Sequence, residues 1–131
     1  MVETTQYALN DEQRLLQETL RAFAHDKVAP RAADIDAKAE YPQDMFEALR
    51  ELGMFALPFP EGYGGANSML SACIAIEELG RVCYNTAYLL IVQWTPFCAV
   101  LYGGTEEQKQ RFLPGLGSGE LRAAISVTEP G

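Results

Sequence analysis

From Tyr84 to Tyr102 the chain carries no charged side chain. A segment that long and apolar has two homes, a bilayer or the middle of a helical domain. Asn85, Thr86, Gln93, Thr95 and a mid-segment Pro96 interrupt it, and Lys and Arg do not gather at its flanks. The flanking pattern of a spanning helix is therefore missing. The expectation is a buried central helix, kinked or divided at Pro96, and no membrane span. Such a helix needs others around it, and a chain of 131 residues with 48% hydrophobic content is one domain that can supply them.

Helical signals fill the rest of the sequence. Asn10 with Gln13 reads as a capping box, followed by Leu16, Leu20, Phe23, Ala24 and Val28 at helical spacing. Pro30 marks a break or kink before a shorter helical stretch over Arg31–Ala39. Another helix begins at Pro42, points Met45, Phe46, Leu49 and Leu52 inward, and is capped by Gly53. Pro58 to Gly65 is a turn-rich loop. From Ser68 a further helix runs to about Val82, with Leu70, Cys73, Ile74, Leu79 and in part Ile76 at its buried face. Thr105 with Gln108 is a second capping box, opening a short helix that stops before Pro114. Gly115, Gly117 and Gly119 then form a loop. Leu121–Val127 alone looks strand-like, and a strand without a partner is not a stable element. The fold class is all-α, a bundle of about five to six helices with one terminal strand-like segment.

Lys plus Arg number 10 against 18 Asp plus Glu, a formal charge of −8. That balance opposes nucleic-acid phosphates and anionic membrane surfaces alike. Cys73, Cys83 and Cys98 show no Cys-x-x-Cys spacing, and Met1–Gln6 lacks a basic-then-apolar leader pattern. An odd cysteine count and that N-terminus point to a reducing, cytoplasmic setting. One histidine, His25, cannot build a zinc site with scattered cysteines, so no metal is expected.

The residues by themselves display no catalytic constellation. His25 stands far in sequence from Ser126 and Thr128 and reads as a solvated helix residue. Glu77 and Glu78 read as ion-pairing or solvated carboxylates. Gly64-Gly65 follows no strand and carries no Gly-Lys-Ser/Thr, so it reads as a tight turn and not a phosphate loop.

Order and spacing add what single residues do not. Leu9-Asn10-Asp11-Glu12-Gln13 is followed by Glu51-Leu52-Gly53-Met54, Pro60-Glu61-Gly62-Tyr63-Gly64-Gly65 and Glu77-Glu78-Leu79-Gly80-Arg81. Gly104-Thr105-Glu106-Glu107-Gln108-Lys109, Phe112-Leu113-Pro114 and Thr128-Glu129-Pro130-Gly131 complete the series. From Tyr7 to Gly131 it resembles the N-terminal part of the acyl-CoA dehydrogenases. Those are FAD enzymes that introduce a trans 2,3 double bond into acyl-CoA thioesters.

That resemblance implies a helical N-terminal domain over residues 1–120 and the opening of a middle β-barrel domain over 121–131. It implies no catalytic residue here, because the family's glutamate base belongs to a C-terminal bundle beyond this sequence. The motif that sets donors against the flavin pyrimidine ring corresponds to Ile125, Ser126, Val127 and Thr128, with Ile125 replacing the usual aromatic residue. Hydroxyl and N–H donors there stabilise charge as hydride reaches the ring. The acyl-lining positions correspond to Ala87, Tyr88, Ile91 and Trp94, and the bulk of Tyr88 and Trp94 suggests a short or branched acyl group. Further implications are an electron-transferring flavoprotein as acceptor and a homo-oligomer at full length. A free-standing helical module that binds acyl groups or a protein partner is the competing reading.

Overall fold

Asn10 opens the first helix through a reciprocal cap. Its side chain accepts from the Gln13 N–H at 2.8 Å, while the Gln13 side chain accepts from the Asn10 N–H at 3.0 Å. In the computed structural model, which describes residues 8–130, helix α1 spans Asp11–Phe23. The sequence features at Met1–Gln6, Tyr7 and Gly131 lie outside the described residues. Leu20, Ala24 and Val28 are buried as the spacing required, with Leu16 and Phe23 packed beside them.

Pro30 does not break the helix. A π-helical turn over Ala24–Val28 leads straight into α2, Ala29–Lys38. The reason is steric. Proline lacks an N–H, and its ring would strike the Asp26 carbonyl four residues back. The wider turn, closed by the Ala29 N–H on the Ala24 carbonyl, opens the backbone where that clash would fall.

Helix α3 spans Gln43–Glu51, with Pro42 as its cap, one place before the first helical residue. The Pro42 carbonyl accepts from the N–H groups of Met45 and Phe46, and Gly53 ends the element at φ 69°. Met45, Phe46 and Leu49 are buried, but Leu52 faces solvent. A loop with two single 3₁₀ turns, Met54–Ala56 and Glu61–Tyr63, follows. Ser68 then caps α4, Met69–Gly80, by accepting from the Ser71 N–H at 3.1 Å.

Helix α4 buries Ile74 and Leu79, with Ile76 partly buried, as expected, but not Leu70 and Cys73. Ala72 and Ala75 are buried as well, whereas Leu70 and Cys73 are exposed. Apolar residues surround α4 on nearly every side, so periodicity carries little information about its phase.

Helix α5, Tyr84–Gly103, is a single element that runs through Pro96. It packs between α4 and α6. By length and composition it would also span a membrane, with mean hydropathy 1.3. It is not enclosed all round: Tyr84, Tyr88, Ile91, Thr95 and Tyr102 share an exposed stripe, while Thr86, Leu90, Gln93 and Phe97 face the core. Thr95 donates its hydroxyl to the Ile91 carbonyl at 2.8 Å in the turn before the proline, the back-bonding that lets a helix bend.

Helix α6, Glu106–Ser118, starts on the expected Thr105–Gln108 box. It then continues through Pro114, Gly115 and Gly117, where a loop was expected, and ends at Gly119 with φ 74°. Gly117 is helical for a packing reason. A Cβ there would lie 2.9 Å from the Tyr63 carbonyl and 3.3 Å from the Phe97 ring. Tertiary contact overrides the weak helix propensity of glycine at that point.

With α1 and α2 joined through the π turn, five helical rods make up the described residues, and no strand is among them. Leu121–Val127 forms no ladder, because no second strand is present to pair with it. Two apolar clusters fill the interior. The larger gathers residues of α1 to α5, and the smaller stacks Phe59 on Phe97 at 3.6 Å between ring centres, beside Leu113 and Leu116. Trp94 touches both clusters, and its indole N–H donates to the Met54 carbonyl at 3.2 Å.

Candidate functional site

A groove of about 700 Å3 runs beside α5, bounded by α2, the turn before α3, and residues 122–124. Ile35, Tyr41, Phe46, Tyr88, Gln93 and Arg122 are among its walls. Its size suits a small organic ligand, and its lining is mainly apolar with a few polar groups. At one end the Arg122 guanidinium lies 4.2 Å from the centre of the Phe46 ring and 5.2 Å from that of Tyr41. The same group approaches Glu47 at 3.5 Å. Burial raises the Tyr41 hydroxyl above its ordinary pKa by disfavouring the phenolate, while Arg122 pulls the other way.

The four acyl-lining candidates fall in two places. Tyr88 and Ile91 sit on the exposed stripe of α5, with Tyr88 stacked on Tyr84 at 5.5 Å between centres and facing the groove. Ala87 is 3% exposed and belongs to the larger core cluster. Trp94 is half-buried and committed to Met54. The geometry thus brings together Tyr88 and Ile91, and leaves Ala87 and Trp94 behind them as packing.

Ile125, Ser126, Val127 and Thr128 are all exposed, Val127 at 79%. They form no regular element. Among the described residues, no hydrogen bond engages the Ser126 or Thr128 hydroxyls or the backbone N–H groups of this segment. A row of unengaged N–H and O–H donors fits the carbonyl- and nitrogen-rich edge of a flavin pyrimidine ring. The rest of a flavin cradle has no counterpart among the described residues.

The ionisable groups are structural in their arrangement. Glu78 is 3% exposed and receives two hydrogen bonds from Arg21, at 2.8 and 3.1 Å. That bidentate bond holds its carboxyl below the usual range against the opposing effect of burial. From the sequence Glu77 and Glu78 were either ion-paired or solvated, and for Glu78 the geometry is an ion pair. His25 is exposed and touches only Asp26, at 2.8 Å. Cys98 is half-buried, and desolvation pushes its thiol up.

Gln93 and Arg122 were not singled out as site residues from the sequence. Gln93 is the sole long polar side chain in the charge-free run, and that was the available signal. It is 2% exposed and donates to the carbonyls of Leu116 at 2.9 Å and Leu121 at 2.6 Å.

Comparison with known proteins decides the family. Residues 10–120 match the acyl-CoA dehydrogenase N-terminal domain. The chain belongs to the acyl-CoA dehydrogenase family. It is 41% identical over 127 residues to a short-chain-specific acyl-CoA dehydrogenase of Clostridium acetobutylicum, covering 95% of this chain and 33% of that one. The butyryl-CoA dehydrogenase of Megasphaera elsdenii superposes with a TM-score of 0.85 at 30% identity, over 95% of this chain and 34% of the other. A chain solved in work on the electron transferring flavoprotein of Acidaminococcus fermentans gives a TM-score of 0.86 at 29% identity, over 95% and 33%. The chain therefore spans about a third of the length of each of these three proteins.

Proposed function

We infer that this chain is the N-terminal helical domain of a flavin-dependent oxidoreductase that introduces a 2,3 double bond into acyl-CoA thioesters. The carrying observation is the family match over residues 10–120 in a chain that spans a third of its relatives. Residues 1–120 form the helical domain on this reading, and 121–131 begin the next one. FAD, when bound, accepts the hydride. Ser126, Thr128 and the backbone N–H groups of residues 125–128 hold its pyrimidine edge and favour negative charge there. Tyr88 and Ile91 face the acyl chain, with Ala87 and Trp94 fixing the helix behind them. The electron acceptor is a flavoprotein, the full-length protein is a homo-oligomer, and the setting is cytoplasmic.

The isolated chain is inactive on this reading, because the glutamate base and most of the flavin cradle belong to the part of the family fold that follows. Incubating it with FAD, short-chain acyl-CoA and a dye acceptor is expected to give no turnover. Sustained turnover would overturn the assignment of the base to another domain. The intact mass of the native gene product completes the test. A mass well above 14.4 kDa supports the multidomain enzyme. A mass equal to it sinks that reading in favour of a free-standing module, whose ligand would then be sought in the groove beside Tyr88.

A further inference from the structure

We propose that Gln93, assisted by Arg122, is a positioning residue that sets where the chain leaves the helical domain and so where Ser126–Thr128 can lie. The proposal rests on the flavin reading of that motif. A primary amide in the middle of an apolar helix costs free energy unless both its hydrogens are used. Gln93 uses both, and on the two sides of one turn. One goes to the Leu116 carbonyl in the last turn of α6, which otherwise accepts only a long bond from the Gly119 N–H at 3.4 Å, and the other to Leu121, beyond the helix end. The Leu121 N–H in turn donates to the Gly115 carbonyl at 2.9 Å. Leu121 is therefore held through both of its backbone polar groups, although its side chain is exposed.

The next residue is held by different means. Arg122 lies over the Phe46 and Tyr41 rings and approaches Glu47, a cation–π arrangement on α3 and the turn before it. Ala123 is half-buried, and every residue from 124 to 130 is exposed. The hold on the segment thus ends within three residues of Leu121. Ser126 is five residues on, and extended chain covers at most about 3.3–3.6 Å per residue. Ser126 is confined to within roughly 18 Å of the Leu121 anchor and Thr128 to within roughly 25 Å, in a direction set by residues 121 and 122.

The test is backbone dynamics of the chain itself, with no flavin present. In Gln93→Met, which keeps the length and loses the donors, the amide order parameters of residues 121–128 are expected to fall toward about 0.6 or less. Those of α4 and α5 should stay near 0.85, the rigid-backbone value. Gln93→Glu, protonated at acidic pH, regains one donor and should recover part of the order at Leu121, a rescue that loss of packing alone would not show. Arg122→Gln removes an exposed side chain without threatening the core, and should loosen 122–128 while leaving Leu121 rigid. Unchanged order at 121–128 in both Gln93→Met and Arg122→Gln overturns the proposal. If Gln93→Met unfolds by circular dichroism, Arg122→Gln decides alone. An absence of flavin from the native protein would defeat the flavin reading and leave these results standing.

Discussion

Glu78 is the one buried carboxylate among the described residues, and its ion pair ties α1 to α4 across 57 positions of sequence. Its folded-state pKa is depressed below the ordinary 4.5, first through the hydrogen bond from Arg21. A depressed carboxylate contributes stability that is fully present above its unfolded pKa and is lost as pH falls through the folded one. Asp34 and Asp44, held low by Lys38 and Arg31, act in the same direction. The urea midpoint should therefore be flat above about pH 5 and drop as pH falls below the unfolded carboxylate range. Glu78→Gln should lower the plateau and shrink the drop without abolishing it, because the two aspartates remain. An undiminished drop in that variant would show that Glu78 is not the group responsible. That Glu77 and Glu78 are structural carboxylates, ion-paired or solvated, was legible in the sequence. Which of the two carboxylates is buried was not, since that depends on how α1 lies on α4.

At the scale of the element, capping and turn chemistry were readable because they act over three or four residues. Asn10 with Gln13, Thr105 with Gln108, Ser68 and Gly53 all behave as their positions imply. Prolines and glycines inside helices were not readable in the same way. Pro30, Pro96 and Pro114 each lie within continuous helical backbone, and what carries the chain past Pro30 is a wider turn that no local pattern announces. Gly117 shows the competition in energetic form. Replacing glycine by alanine in a helix favours folding by about 0.5–1 kcal/mol, but at Gly117 the added methyl meets the Tyr63 backbone at 2.9 Å. Overpacking of that kind costs about 1–3 kcal/mol, so Gly117→Ala should destabilise the domain. Gly103→Ala meets nothing within 4 Å and should stabilise it by about 0.5 kcal/mol. Urea unfolding of the two variants checks both signs, and equal shifts would remove the packing explanation.

For the whole molecule, the unpartnered feature is the α5 stripe of Tyr84, Tyr88, Ile91 and Tyr102, at 69, 44, 38 and 82% exposure. Contiguous apolar surface of that sort marks a contact face. In the isolated chain it should drive concentration-dependent self-association. Ile91→Asp should abolish that in sedimentation velocity while leaving the far-ultraviolet circular dichroism unchanged. Association that persists in the variant would place the contact elsewhere. The charge-free run had suggested a helix enclosed on every side, and the exposed stripe corrects it: four other rods cover only part of its circumference.

The sequence by itself determined the helical class, the caps, the inward face of α1 and, through ordered short motifs, the family. Each of these depends on neighbours in the chain or on a pattern of spacings, and both survive without knowledge of the fold. Tertiary structure alone decided that Ala72 and Ala75, not Leu70 and Cys73, turn inward on α4, and which side of α5 does, because helices apolar on most sides carry little phase. It also decided that the amide of Gln93 reaches Leu121, 28 residues away. A hydrogen bond of that separation exists only once α5 and α6 have packed, and no local pattern in either helix encodes it.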